Sequence, residues 1–382
     1  MVRNLIGALA LVWLMPLTAA TFQGIPDPPK LPARAYFLLD FTSGAVLAQD
    51  NADIPLEPAS LTKIMTVYAT ADALKKGLIK LEDEPVISEY AWKQEGSRMF
   101  IEVGKQVSVD HLLHGDIIQS GNDASVALAE HISGTEQVFA SVMNGHAARL
   151  GMKASKFANS TGLPNPETYT TARDLGTLAR ALINDFPEIY RLFSLPEFTY
   201  NGITQRNRNG LLSRDASVDG IKTGHTDAAG FCLVASAARD GMRLISVVMG
   251  ADSDGTRTQA SQALLNYGFR FFASRELYAA GGEVTTARVW QGAAERVAVG
   301  VTQALAVTVP RGSAQGEDIK VVAELQKPLV APLAARQVVG ELLVSYNGKE
   351  IKRVPLVALN AVAKGSWVRQ AVDAAKLLFE SR

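Results

Sequence analysis

Between Pro58 and Leu74 the apolar residues Leu61, Ile64, Met65, Val67, Tyr68, Ala69, Ala73 and Leu74 cover nearly every face of a helix, with Gly77 as its stop. A helix that is hydrophobic all round cannot lie on a surface. The chain must therefore build a domain around this segment, with other elements packed on every side. At 382 residues, 47% hydrophobic and 20% charged, it has the material to do so and the length for two domains. Lys plus Arg and Asp plus Glu both number 38, so no net field recruits nucleic acid, and no nucleic-acid partner is expected. Cys232 is the only cysteine, which excludes an intramolecular disulfide and a cysteine-rich metal site. Lying in the apolar run Phe231-Cys232-Leu233-Val234, it reads as a small buried hydrophobe.

The remaining pattern is mixed. Tyr36 to Asp40 and Ala45 to Ala48 read as a hairpin about Thr42-Ser43-Gly44. Helical spacing follows in Ala124 to Ile132, Val138 to Leu150 and Ala172 to Ile183, divided by the loop Asn159 to Thr168. A strand about Ile221, then Phe231 to Ala237 and Leu244 to Met249 across an Asp240-Gly241 turn, predict an antiparallel meander. Beyond Phe272 short alternating runs predict a small all-β domain: Val284 to Trp290, Arg296 to Val301, Ala304 to Val309, Ile319 to Leu325 and Val338 to Val344. From Trp367 the spacing is helical again. Val368, Val372, Ala375 and Phe379 form one stripe, Trp367, Ala371, Ala374 and Leu378 lie beside it, and Arg369, Asp373, Lys376 and Glu380 are on the polar face.

At the other end, Arg3, the apolar run Leu5 to Leu17 and Thr18-Ala19-Ala20 read as an export leader cleaved near Ala20. The run is shorter than the ~20 residues needed to span a bilayer. The expected division is a leader at 1–20, a catalytic domain at 21–272, a β-domain at 273–362 and an amphipathic helix at 363–382.

Chemistry is concentrated at Ser60-Leu61-Thr62-Lys63, where i, i+3 spacing puts a hydroxyl and an amine on one helix face. No other serine stands three places before a lysine. For Lys63 to act as general base its pKa must fall, which burial and a second cation would achieve, and Lys222 is the candidate cation. Ser120-Gly121-Asn122 lies in a turn: Ser120 can relay a proton, and Asn122 can hold a substrate amide and the lysine. Lys222-Thr223-Gly224 falls on the first strand of the meander. Lys222 and Thr223 can bind a carboxylate by charge and hydroxyl, Gly224 permits close backbone approach, and the amide of His225 can join that of Ser60 around an oxyanion.

Ser-x-x-Lys, Ser-x-Asn and Lys-Thr-Gly in this order are the signature of penicillin-binding proteins and related β-lactamases. A later Ser345-Tyr346-Asn347 is excluded by its position after Lys222. With their flanks, Pro58 to Thr66, Gln119 to Ala124 and Val218 to Thr226, together with Arg206-Asn207-Arg208-Asn209-Gly210-Leu211-Leu212, these motifs resemble the low-molecular-mass penicillin-binding proteins with D-alanyl-D-alanine carboxypeptidase activity. The resemblance covers nearly the whole chain after the leader. It implies an α+β fold: a transpeptidase-like domain of helices and antiparallel sheet, a C-terminal β-domain and a terminal helix attached to the cytoplasmic membrane. It further implies that Arg208 orients the substrate carboxylate, that β-lactams are covalent inhibitors, and that the protein acts at the periplasmic face of the inner membrane on peptidoglycan stem peptides. No cofactor and no metal are expected.

Related carboxypeptidases often carry histidine where this chain has Thr161, a departure that bears on deacylation. A β-lactamase is the nearest alternative, and Glu167 is the only acid in the loop for its water-activating base. A silent peptide-binding protein, with Ser60 merely capping a helix, is the alternative from another class. His111-Leu112-Leu113-His114 lacks a third metal ligand and reads as surface or core histidines, and Asp252-Ser253-Asp254-Gly255, with its glycine too early for a calcium loop, reads as a turn.

Overall fold

In a computed structural model, residues 24–313 and 318–380 are described. The expected leader lies outside them. The first domain is built on a five-stranded antiparallel sheet in the order β2-β1-β7-β6-β5, where β1 is Ala35–Asp40, β2 Val46–Asp50, β5 Val218–Thr226, β6 Gly230–Arg239 and β7 Met242–Ala251. The meander β5-β6-β7 is present as the alternation required, and the hairpin β1-β2 joins it through β7. A separate hairpin, β3 (Glu197–Tyr200) and β4 (Ile203–Arg206), stands beside it.

Period-two alternation sends successive side chains of each strand to opposite faces. Phe37, Leu39, Val234, Ile245 and Val247 face one core, whereas Leu38, Leu233, Ala235, Leu244 and Val248 face another. The first core is closed by α1 (Lys63–Lys75), the short α2 (Glu89–Trp92) and α3 (Val109–His114), α4 (Asn122–Ser133), α5 (Glu136–Leu150), α6 (Ala172–Asp185) and the single turn α7 (Pro187–Tyr190). The second is closed by α8 (Asp254–Phe271), through Leu264 and Leu265. Thr135, Thr171 and Ser253 accept hydrogen bonds from Val138, Asp174 and Thr256 to cap α5, α6 and α8. The acid-rich segment from Asp252 thus runs directly into a helix start.

The α1 segment is enclosed as its composition demands. Lys63, Ile64, Met65, Val67 and Tyr68 have no exposed surface. Ser60 itself lies in a single 3-10 turn, Ala59–Thr62, and the α-helix proper begins at Lys63.

The second domain is all β. Its main sheet has the order β12-β14-β15-β10-β9-β13, made of β9 (Glu283–Trp290), β10 (Arg296–Gly300), β12 (Ile319–Leu325), β13 (Leu329–Val330), β14 (Val338–Tyr346) and β15 (Lys349–Ala358). Strands β8 (Phe272–Tyr278) and β11 (Leu305–Pro310) pair separately. The alternating runs predicted from sequence are all strands; β8, β13 and β15 add to them.

A buried polar cluster joins the domains. Asp40, at the end of β1, accepts the amides of Thr42 (2.8 Å) and Ser43 (3.3 Å), the Thr308 hydroxyl (2.7 Å) and the Ser274 hydroxyl. Lys352 donates to the carbonyls of Ser43 (2.5 Å) and Ala306 (3.1 Å). Every donor here finds an acceptor, the condition under which a buried polar network specifies one arrangement.

The last element, α9 (Trp367–Glu380), is held by its polar face. Asp373, 8% exposed, accepts the Gln291 amide at 2.7 Å, and Arg369 pairs with Glu295 at 3.4 Å. Trp367 (80% exposed), Val368, Val372 and Leu378 are turned outward.

Candidate active site

Three chain segments meet at the Lys63 amine, and each uses a left-handed residue to get there. Ala59 (φ +47°) turns the chain into the Ser60 turn, Ser120 (φ +66°) ends a π-helical turn at Gly115–Gln119, and Gly162 (φ +79°) sits in the loop after α5. Such backbone is unfavourable for alanine and serine, and it persists where the surroundings over-determine it. Lys63 Nζ donates to Asn122 Oδ1 (2.6 Å), to the Thr161 carbonyl (2.6 Å) and, more loosely, to Ser60 Oγ (3.3 Å). The hydroxyl of the half-buried Ser60 is thus placed beside an amine wholly removed from water.

That removal pushes the Lys63 pKa down to about 8. Burial is the main cause; Asp116 and Asp123 oppose it, Arg208 adds to it, and Glu136 opposes it. Lys222, 2% exposed, is driven well below the ordinary lysine value by burial and then by the Lys63 charge. The cation expected to depress Lys63 is therefore itself depressed, in part by the Lys63 charge, and Arg208 supplies the repulsion on Lys63.

The other predicted residues gather around this pair. Ser120 is 3% exposed, and its hydroxyl has no hydrogen-bond partner among the described residues. Asn122 opens α4 and is fixed by a second bond, Nδ2 to the Glu95 carbonyl at 2.6 Å. Lys222, Thr223 and Gly224 lie on β5. A Cβ on Gly224 would stand 2.9 Å from the Pro58 carbonyl and 3.2 Å from the Ser60 nitrogen. The approach this glycine permits is therefore between β5 and the turn carrying Ser60. His225 is exposed, with its ring against Phe231 at 4.0 Å between centroids. Arg208 is exposed on the segment after β4.

Glu167 is exposed and paired with Lys156 at 3.4 Å. The Thr161 side chain serves its own loop, accepting the Leu163 amide at 3.1 Å, while its carbonyl binds Lys63. His111 packs near Phe198 and Tyr200, and His114 stacks on Phe198.

A family model described as D-alanyl-D-alanine carboxypeptidase matches residues 23–253. The chain belongs to this family. A second model, the C-terminal domain of penicillin-binding protein 5, matches residues 272–364. The D-alanyl-D-alanine carboxypeptidase DacC of Escherichia coli is 43% identical over 99% of this chain and 96% of its own length. DacA of the same organism is 42% identical over 93% and 90%. The crystal structure of penicillin-binding protein 5 from Haemophilus influenzae superposes with a TM-score of 0.85 at 42% identity, covering 89% of this chain and all of that one. The α+β architecture, a transpeptidase-like domain followed by an all-β domain, is thus that of the penicillin-binding carboxypeptidases.

Several residues outside the three motifs hold the segments of this site together. Asp123 gathers the amides of Met99 (3.0 Å), Phe100 (2.9 Å) and Ile101 (3.3 Å), fastening the strap that flanks Asn122. Glu136 accepts the Ser160 amide (2.9 Å) and hydroxyl (2.6 Å), and so fixes the loop that presents the Thr161 carbonyl. Arg257 donates to the carbonyls of Gly224 (2.9 Å) and Cys232 (3.2 Å), bracing β5 against β6. Asp116 is buried next to the lysines. The one signal for it in the sequence is a carboxylate within the apolar run Leu112 to Ile118.

Gly162 is the position least able to change. A Cβ there would lie 1.8 Å from the Ala59 carbonyl oxygen, a backbone atom that cannot swing aside. Gly162→Ala is expected to lower acylation by a fluorescent penicillin by at least roughly tenfold, since displacing a site by about 1 Å has a cost of that order or more. Wild-type labelling kinetics in the variant would refute the close packing.

Proposed function

We propose that the protein removes the terminal D-alanine from peptidoglycan pentapeptide stems through an acyl-enzyme on Ser60. The observation that carries this reading is the 3.3 Å contact between the buried Lys63 amine and the Ser60 hydroxyl. With its pKa near 8, Lys63 is unprotonated in an appreciable fraction of molecules at neutral pH. It takes the proton of Ser60 as Oγ attacks the carbonyl between the last two D-alanines. The amides of Ser60 and His225 receive the oxyanion, a role supported by the close approach of β5 to the Ser60 turn.

Ser120, whose hydroxyl is uncommitted, passes a proton to the departing amine, and D-alanine leaves. Asn122 orients Lys63 and the substrate amide. Lys222, Thr223 and Arg208 receive the substrate carboxylate, whose arrival favours the charged form of Lys222. Water then hydrolyses the ester and restores Ser60. The shortened stem can no longer act as a cross-linking donor, so the activity limits cross-linking and influences cell shape. Penicillins acylate the same serine because their strained amide resembles the D-Ala-D-Ala bond. With Glu167 turned to Lys156, this acid is not the base that activates water against the penicilloyl ester.

Ser60→Ala is expected to abolish D-alanine release from diacetyl-Lys-D-Ala-D-Ala while remaining folded. Equal release by both proteins would refute Ser60 as nucleophile. Because the lowered pKa belongs to the base form that must be free, acylation should rise with pH to a plateau, half-maximal at about 8. A rate that falls through that interval contradicts the assignment of Lys63.

The substrate places the enzyme outside the cytoplasm, and we read α9 as a peripheral contact with the inner membrane. No described helix is long and apolar enough to cross a membrane. What supports surface attachment is the orientation of α9, polar face inward and Trp367, Val368 and Val372 outward. The mature protein should float with anionic phospholipid vesicles, and a chain shortened after Lys364 should not; unchanged flotation would remove this role from α9.

A further inference from the structure

Two lysine amines in one dry pocket require a counter-charge, because a buried cation without a partner is costly. Lys63 has no exposed surface and Lys222 only 2%. The charged groups that act on them come from five elements: Asp116 from the π-helical turn, Asp123 and Glu136 from the starts of α4 and α5, Arg208 from the segment after β4, and Arg257 from α8.

Most of these are already engaged. The two oxygens of Asp123 take four backbone amides, those of Met99, Phe100, Ile101 and Ala124. Glu136 takes the Ser160 amide and hydroxyl on one oxygen and the Tyr90 hydroxyl, at 2.7 Å, on the other. Arg208 and Arg257 are cations, and Arg257 is tied to two carbonyls and to Asp254.

Asp116 is different. It is fully buried, four residues before Ser120, and Oδ1 accepts the Ser125 hydroxyl. Its Oδ2 is buried with no hydrogen-bond donor among the described residues. A carboxylate oxygen left in this state is expensive unless positive charge lies close by. Here burial pushes the carboxyl up to about 6, and first Lys63, then the Ser125 hydroxyl and Lys222, oppose that rise, with Asp123 adding to it.

We propose that Asp116 is a positioning residue of this site, the shared counter-charge that lets Lys63 and Lys222 occupy one dry pocket and divides their protons between base and carboxylate receptor. This rests on the Ser60–Lys63 reading above. With Asp116 ionised, one positive charge on the lysine pair is balanced. Lys222 can then take up charge as the substrate carboxylate arrives, while Lys63 is free to take a proton. Without the carboxylate both amines are easier to discharge: the base is free at lower pH, but the receptor is weakened.

The test compares the wild type, Asp116→Asn and Asp116→Glu in pH profiles of acylation by a fluorescent penicillin and in KM for diacetyl-Lys-D-Ala-D-Ala, with Ser60→Ala as the blank. Asparagine keeps an acceptor for Ser125 and removes the charge. The expected result is an acylation inflection at lower pH, a KM raised roughly tenfold at neutral pH, one decade for each unit by which the receptor's pKa falls, and return toward the wild-type inflection in Asp116→Glu. A purely structural residue would lower the rate by one factor at every pH and leave the inflection where it was; that result, or an upward shift, overturns the proposal. If Asp116→Asn does not fold, Ser125→Ala decides, because loss of the hydroxyl disfavours the ionised carboxyl and must move the inflection in the same direction; an unmoved profile overturns the proposal. A wild type that is not acylated at all would instead refute the Ser60 reading, so the two failures are distinguishable.

Discussion

The Lys63 ammonium is taken out of water and given two strong oxygen acceptors, the Asn122 side chain and the Thr161 carbonyl, each at 2.6 Å. Those acceptors come from segments some 60 and 100 residues away along the chain, and the catalytic domain is organised to keep both in place. The all-apolar α1 supplies the dry surroundings. Asp123 fastens the strap beside Asn122, Glu136 fastens the loop of Thr161, and Arg257 braces the strand that closes against Ser60. Desolvation lowers the affinity of the amine for its proton, and the Asp116, Asp123 and Glu136 carboxylates limit how far it falls. The same packing that stabilises the domain thereby sets the protonation of Lys63.

The two domains divide the work along physical lines. The sheet of the first domain separates two cores, one behind the active site and one beneath α8, so the strand carrying Lys222 is buttressed on both faces. The second domain has its own apolar core and meets the first at the Asp40, Thr308 and Lys352 cluster. Here the joint is a set of satisfied hydrogen bonds, which fixes orientation more than it adds stability. At the far end, Asp373 and Arg369 turn the polar face of α9 toward the β-domain and so determine which face is left outward. The sequence showed that α9 is amphipathic; its direction depended on two partners, Gln291 and Glu295, nearly eighty residues earlier.

Legibility varied with the kind of interaction. Helix α1, the meander and most strands of the β-domain were readable because periodicity is a local property. The long helix α8 was missed: its apolar residues are diluted by Gln259, Gln262 and Asn266, and its acidic start resembled a turn. The residues Ser60, Lys63, Ser120, Asn122 and Lys222 were visible as motifs, and the structure gathers them in one place. Asp116, Glu136 and the Thr161 carbonyl were not visible. Two act through space or through another residue, and the third is a backbone atom that any side chain could have supplied.

The sequence by itself determined that a wholly apolar helix had to be enclosed, that a serine and a lysine would stand three residues apart at its start, and that a strand carrying Lys222 would follow, since spacing and composition are carried by the chain. Only the tertiary structure decided how far the Lys63 pKa falls, that Lys222 is depressed beside it, and which buried carboxylate is left without a donor next to them. Those outcomes depend on burial and on distances between segments far apart in sequence, and electrostatic energy in a low-dielectric interior varies steeply with both.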